Sequence, residues 1–361
     1  MTSSRTFGGD NHTCGVTTDD RAYCWGRNTW GQLGLGGDFG SPDDCFGDPC
    51  SKLPAPVAGN LRWKHLRAGD RFTCGVTTDN VAYCWGRNVE GQLGTPTDVP
   101  QYAPIKVSGG RKFRQIRRGP NHPCAITTVD VAFCWGANTN GQLGDGTLTW
   151  HSTPARVVGS QAWRELEVNY DHTCGVTFDN KAFCWGQNFS GMLGDGTTTQ
   201  RLQPRAVAGG IAFRQVDAGV RHTCGVSTGN TAYCWGGNSN GQLGNNTRAD
   251  RLTPGKVAGT RLFDVVSVDG SYSCGVTVGG KGFCWGYNGE GELGTGTTKP
   301  WLGPTAVAGG LTWSMISAGG GTTCGITKAD RAYCWGQNDD GQIGDGTTTT
   351  RLLPTAVAGP S

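Results

Sequence analysis

The sequence predicts an all-β protein: a seven-bladed β-propeller with four-stranded antiparallel blades and one disulfide inside each blade. Three observations carry this reading. The stretch at residues 74–94, CGVTTDNVAYCWGRNVEGQLG, recurs seven times, its first cysteine standing at Cys14, Cys74, Cys124, Cys174, Cys224, Cys274 and Cys324. The step is 60 residues once and 50 thereafter, the period of stacked supersecondary units in a solenoid or a propeller. Each unit carries four short strand signals, and 62 glycines with no sustained helical period argue against helices. The terminal units look ordinary, whereas a solenoid needs caps; a closed ring removes that need.

Within a unit the elements follow one order. An aromatic-x-x-aliphatic run, as at 63–66 or 213–216, is strand A. A Gly turn leads to strand B near 73–77, and a short turn to strand C at 81–86. A loop of about 16 residues holds GQLG and ends at a Pro, where strand D begins, as at 104–107. The chain divides into one propeller with blades at about 1–60, 61–110, 111–160, 161–210, 211–260, 261–310 and 311–361. Ser3 stands where Trp63 stands in the second unit, so the first strand A is weakly specified.

The cysteine spacing tests the hairpin. If Cys14 faces Cys24, Val16 faces Ala22 and Thr17 faces Arg21, leaving a three-residue loop. Opposed residues of an antiparallel pair lie about 4.5–5.5 Å apart, within disulfide reach. The expected bridges are Cys14–Cys24, Cys74–Cys84, Cys124–Cys134, Cys174–Cys184, Cys224–Cys234, Cys274–Cys284 and Cys324–Cys334, with Cys45–Cys50 in an insertion. Zinc is the rival, but this spacing lacks the short knuckle of zinc sites. Sixteen patterned cysteines read as a disulfide framework formed in an oxidising compartment. The opening MTSSRTFGGD has no basic or apolar leader region. The expectation is therefore an exported protein, secreted or at the cell surface, seen in mature form.

The Trp after each second cysteine, such as Trp85 and Trp135, lies on the face opposite the cysteines and is read as inter-blade core. GQLG is read as a structural turn with its Leu packed inward and its glycines supplying positive φ.

These units resemble the regulator-of-chromosome-condensation repeat family. Residues 219–257 carry GVRHTCGV, AYCWGGNSNGQLG and PGKV, which match that family's Gly-x-x-His-Ser/Thr turn, Tyr-x-Trp-Gly strand, Asn-x-x-Gly-Gln-Leu-Gly turn and Pro-x-x-Val strand. The resemblance covers essentially the whole chain and implies a seven-bladed propeller. It does not imply one function. Its members include a nuclear exchange factor for a small GTPase, a plant UV-B photoreceptor and secreted bacterial inhibitors of beta-lactamases. The paired cysteines argue against a nuclear role and resemble the exported bacterial branch. The strand A–B turns hold no Trp, which argues against photoreception.

Function is expected where the repeat is broken. A–B and C–D turns share one end of the ring, with A–B turns at the channel mouth and C–D loops on the rim, and loops on a rigid scaffold carry binding residues. The variable mouth positions include Asp10, Asn11, Asp70, Arg71, Phe72, Asn121, Tyr170, Asp171, Arg221, Ser271 and Tyr272; the rim adds Trp30, Tyr102, Trp150, His151, Phe189 and Trp301. The binding set drawn from these is Trp30, Arg71, Phe72, Tyr102, Trp150, Tyr170, Phe189, Arg221, Tyr272 and Trp301. Aromatics seen once each suit a protein interface or a sugar platform; the bland alternative is surface drift in a repeat. His12, His122, His172 and His222 share one turn position and are read as scaffold rather than a metal ring. The insertion in the first C–D loop carries Asp38, Asp43, Asp44 and Asp48 without EF-hand spacing. It is read as a stapled partner-contacting loop.

Formal net charge is +3, too balanced to favour nucleic acid or an anionic membrane. The basic run at 106–118, KVSGGRKFRQIRR, alternates its charges to both faces. No apolar stretch is long enough to span a membrane, and no catalytic or phosphate-binding motif stands out. The expectation is a non-enzymatic, cofactor-free scaffold for a protein partner, with a glycan-binding propeller and a self-assembling surface protein as rivals.

Overall fold

Every strand is short because a Gly, Asn or Asp turn ends it. The computed structural model describes residues 3–8, 11–37, 43–45 and 47–358; Asp10 and Asp38 lie outside these. Its strands form seven antiparallel sheets, each built from consecutive strands. The second blade is typical: strand A is Trp63–Ala68, B is Phe72–Thr77, C is Ala82–Gly86 and D is Gln101–Lys106. Cys74 faces Cys84 and Val76 faces Ala82. The Thr77 N–H closes the turn on the Val81 carbonyl at 2.9 Å. Asn80 takes the left-handed conformation at φ 64°, which Asn tolerates better than most residues. This is the hairpin that the cysteine spacing predicts, and all eight disulfides are present with no free cysteine.

The first blade departs from four strands. Its insertion is long enough to fold back on itself, so Asp43–Cys45 pairs with Asp48–Pro56 as a fifth, outermost strand, stapled by Cys45–Cys50. Its acids are engaged locally: Asp43 accepts from the Lys52 N–H at 2.8 Å, Asp44 from the Gly47 N–H at 2.7 Å, and Asp48 pairs with Arg27.

Blades are joined by side chains, as the Trp positions predict. Trp135 closes over the preceding blade's Cys74, Cys84 and Leu93, forming one buried cluster with them. The carbonyl of the third-from-last residue in GQLG is the latch. Gln32 O accepts both the Trp85 indole N–H at 2.9 Å and the Thr73 hydroxyl at 2.7 Å. Met192 and Glu292 hold the same place in their blades, and their carbonyls accept the same pair of bonds. The latch itself uses only the backbone; the side chain makes a separate bond, Gln32 and Glu292 accepting the N–H two residues earlier at 2.9 and 3.0 Å, which Met192 cannot make. The final Gly is not free. Gly144 has φ 68°, and a Cβ there would lie 2.5 Å from the Trp185 indole nitrogen.

A second belt runs beside the first. The His12, His122 and His172 Nε2 atoms meet Thr73, Thr173 and Thr223 of the next blade at 2.8, 3.0 and 3.0 Å, and His222 meets Ser273 at 2.9 Å. Each hydroxyl already donates its proton to the latch carbonyl. The imidazole must therefore donate from Nε2–H, and burial disfavours the imidazolium, so the proton of the neutral ring sits on Nε2. Burial pushes His122 and His222 down to about 3 and His172 to about 4. In the second blade Phe72 replaces the His, and the hydroxyl position of the third blade is Pro123. Donor and acceptor are lost together. Thr173→Val removes a bond to His122 and another to Gln142; it is expected to cost about 1–2 kcal/mol, read as a lower urea midpoint.

The ring closes without sharing a strand. Trp25 packs on Cys324, Cys334 and Ile343 of the last blade. The Trp25 indole and the Thr13 hydroxyl both donate to Gln342 O, at 3.0 and 2.9 Å. The seam between the last and first blades is thus the same joint as the others.

Candidate functional site

Strand A is innermost, so its residues face the channel and its free edge must find hydrogen-bond partners. They come from the strand A before it. Gln115, Glu165 and Gln215 accept the N–H groups of Leu166, Val216 and Val266 at 3.0, 3.1 and 3.0 Å. His65 accepts from Ile116 at 3.3 Å, and Asp217 from Val268 at 2.9 Å. These channel residues hold the inner edge of the ring; the sequence reading did not single them out.

One register further along stand Arg67, Arg117, Glu167, Asp217, Ser267 and Ser317, around a cavity of about 210 Å³. Arg117 pairs with Glu167 at 2.5 Å. Burial pushes the Glu165 carboxyl up to about 7, with Glu167 adding to the rise. Burial also raises Asp217 well above the carboxylate range, and Glu167 and Asp269 add to it. Asn169 crosses between blades, donating to Ala218 O at 2.7 Å and Asp269 Oδ1 at 3.1 Å.

The channel opens at the A–B end into a mouth of about 340 Å³ lined by Asn11, Asp70, Arg71, Tyr170, Asp269 and Gln337. These residues come from the first, second, fourth, sixth and seventh blades. Asn11 donates to Asp70 at 3.3 Å across a blade seam, and Arg71 lies 3.5 Å from the Asp70 carboxylate. Tyr170 is partly exposed, its backbone N–H held by the Asn169 side chain at 2.7 Å. The structure therefore brings together Arg71 and Tyr170 from the expected binding set.

Two aromatic–arginine pairs bridge seams between the rim and the turns. The Arg221 guanidinium sits over the exposed Phe189 ring at 5.1 Å, and Arg87 over the half-buried Trp30 ring at 5.9 Å. Arg87 is fixed by Glu90 at 2.5 and 2.7 Å and by Asn121 at 3.2 Å. Trp150 and Trp301 are exposed on the third and sixth blades. Trp301 lies under the Lys299 ammonium at 5.4 Å and lines a hollow with Asn246 and Arg261.

Three members of the expected set are corrected. Phe72 and Tyr272 occupy the belt position of the histidines and are buried. The Tyr272 hydroxyl donates to Gly319 O at 2.9 Å and lies 2.9 Å from the Thr323 hydroxyl. Tyr102 packs on the preceding blade: a Cβ on Gly31 would come within 2.4 Å of its ring, as one on Gly141, Gly191, Gly241 or Gly291 would meet Leu202, Leu252, Leu302 or Leu352. Tyr102 fills a shared packing site. Among the described residues no cluster of three His, Cys, Asp or Glu side chains is placed to hold a metal ion.

The RCC1-like domain profile matches residues 3–324, and RCC1 repeat profiles match 316–342 and 330–361. The chain belongs to the RCC1-like domain family. This RCC1-like domain is 33% identical over 101 residues to the ultraviolet-B receptor UVR8 of Arabidopsis thaliana. That stretch is 28% of the chain and 21% of the receptor, so it spans about a fifth of the relative's length. Its fold is similar to that of human WBSCR16, with a TM-score of 0.83 at 20% identity over 94% of each chain. It is equally similar to Prp20p of Saccharomyces cerevisiae, with a TM-score of 0.83 at 19% identity over 95% of this chain and 87% of that one.

Proposed function

We propose that the protein is an exported, non-catalytic scaffold that engages a protein partner through the end bearing the A–B turns and C–D loops. The observation that carries this is the mouth, where side chains from variable positions of five blades converge and Arg71 and Tyr170 stand together. Arg and Tyr are the residue types that anchor interfaces. The pairs Arg221–Phe189 and Arg87–Trp30 extend that surface onto the rim. The structurally similar Prp20p is described by its binding to Gsp1p and histones, which supports protein recognition by such a ring. Eight disulfides support export.

One feature favours a glycan as the second reading: Trp301 stands exposed beside Asn246 and Arg261, an apolar platform with hydrogen-bonding neighbours. A single experiment separates the two. The wild type, an Arg71→Ala/Tyr170→Ala variant and a Trp301→Ala variant are used to capture ligands from the native extracellular milieu and are probed on a glycan array. The protein reading expects one captured protein whose affinity falls about tenfold or more in the double variant alone. Glycan binding lost in Trp301→Ala supports the second reading. Capture of further copies of this chain alone removes both.

A further inference from the structure

We propose that the opposite end of the ring, formed by the B–C turns and D–A links, docks on an anionic lipid bilayer. A net charge of +3 conceals a polar molecule, because its charges are sorted by end. Carboxylates outnumber cations on the mouth-and-rim end, and cations outnumber carboxylates on the B–C end. On the B–C end the carboxylates Asp19, Asp130, Asp179 and Asp264 are matched, by Arg21 at 2.9 Å, Arg114 at 2.9 Å, Lys181 at 2.8 Å and Arg214 at 3.2 Å, and Asp20, Asp79 and Asp330 form no ion pair among the described residues. Among the described residues, Lys64, Lys112, Arg261, Lys281 and Lys328 on this end are exposed and have no carboxylate within ion-pair distance. The surplus is positive and accessible.

The same end carries exposed apolar tips. Val129 is 74% exposed, Phe178 55% and Val278 54%, each on a B–C turn, and Leu262 is 48% exposed on a D–A link. They lie on the third, fourth and sixth blades, interleaved with Lys112, Lys181 and Lys281. A B–C turn needs only a left-handed residue at its end, so no requirement of the fold places Val or Phe at the tip; Thr78 and Thr228 occupy the same place as Phe178 elsewhere. All seven hairpins have the same length, so their tips end at one level and present a flat face.

Cations alone fit any polyanion. Cations around apolar tips on a flat face fit a bilayer, where lysines meet anionic headgroups and the tips enter the interface. Docked this way, the molecule turns its mouth away from the membrane and towards a soluble partner. Among the described residues no helix is long and apolar enough to cross a bilayer.

The test is co-sedimentation of the intact protein with phosphatidylcholine vesicles, with and without phosphatidylglycerol. The expected result is binding only to the anionic vesicles, weakening as salt rises. Lys112→Ala and Lys281→Ala should each lower the partition coefficient about fivefold, and Phe178→Ser about tenfold. All three sites are exposed, and an unchanged urea midpoint shows that a variant is folded. Equal partition into both kinds of vesicle, or into neither, overturns the proposal. So does binding to anionic vesicles that Phe178→Ser leaves unchanged and that heparin or duplex DNA abolishes, which identifies a general polyanion surface.

Discussion

Trp25→Ala is expected to open the ring. The indole is fully buried, fills the face of the last blade over Cys324 and Cys334, and donates to Gln342 O at 3.0 Å. Truncating a buried Trp costs about 3–5 kcal/mol, from lost transfer energy and the cavity left behind. The same change at Trp185, inside the array, removes the same contacts from one joint among intact neighbours. Trp25 differs because the seam joins the two ends of the chain, with no linker across it to hold the faces together. Both variants should lose stability in guanidinium unfolding. Only Trp25→Ala should also raise hydrogen exchange in the first and last blades well above that in the middle ones. Equal exchange profiles would mean that the seam is held by something other than this joint.

The second large effect is a reversal with pH. His172 is held at about 4 by burial, against an ordinary 6.5. The folded value is the lower one, so between pH 6.5 and 4 the unfolded chain binds more protons, and folding stability falls as pH falls through that window. Each unit contributes about 1.4 kcal/mol, so two units contribute close to 3. His172→Phe copies what Phe72 does naturally. At pH 7 the variant should be less stable by about 1–2 kcal/mol, because the Thr223 hydroxyl loses its donor. Near pH 4.5 the wild type has lost more than that, and the variant should be the more stable. Glu165 and Asp217 have raised values, so protonating them favours folding as pH falls. That trend has the opposite sign, is common to both proteins and cancels in their difference. Urea midpoints at the two pH values decide the matter; parallel curves would show that the imidazole does not titrate on unfolding as described.

The hairpins, the disulfides and the Trp plugs were legible in the sequence because each depends on local spacing. A ten-residue cysteine separation sets the register, and the register sets which face Trp85 takes. The latch was half legible. GQLG was visible as a turn, but the use of its Gln carbonyl was not, since Met192 and Glu292 look like departures until the backbone bond is seen. The channel ladder was not legible. Gln115 and Glu165 read as ordinary alternating strand residues, and their partners lie 51 residues away in the next blade. Phe72 and Tyr272 break the repeat yet are buried, because a break in the repeat does not by itself mean exposure. The corrective signal was in the chain: Phe72 coincides with Pro123 at the paired position one blade on. Charge failed as a guide for a geometric reason. A sum over the chain cannot show that successive turns carry their charges to opposite ends.

The placement of partner binding at the mouth is tested most directly by a hydrogen-exchange footprint of the protein with its captured partner. The account predicts slowed exchange in the A–B turns at 69–71, 169–171 and 219–221 and in the C–D loops around Trp30 and Phe189. It predicts unchanged exchange in the B–C turns at 128–131, 178–181 and 278–281. Protection of the B–C turns with the mouth left unprotected would contradict it.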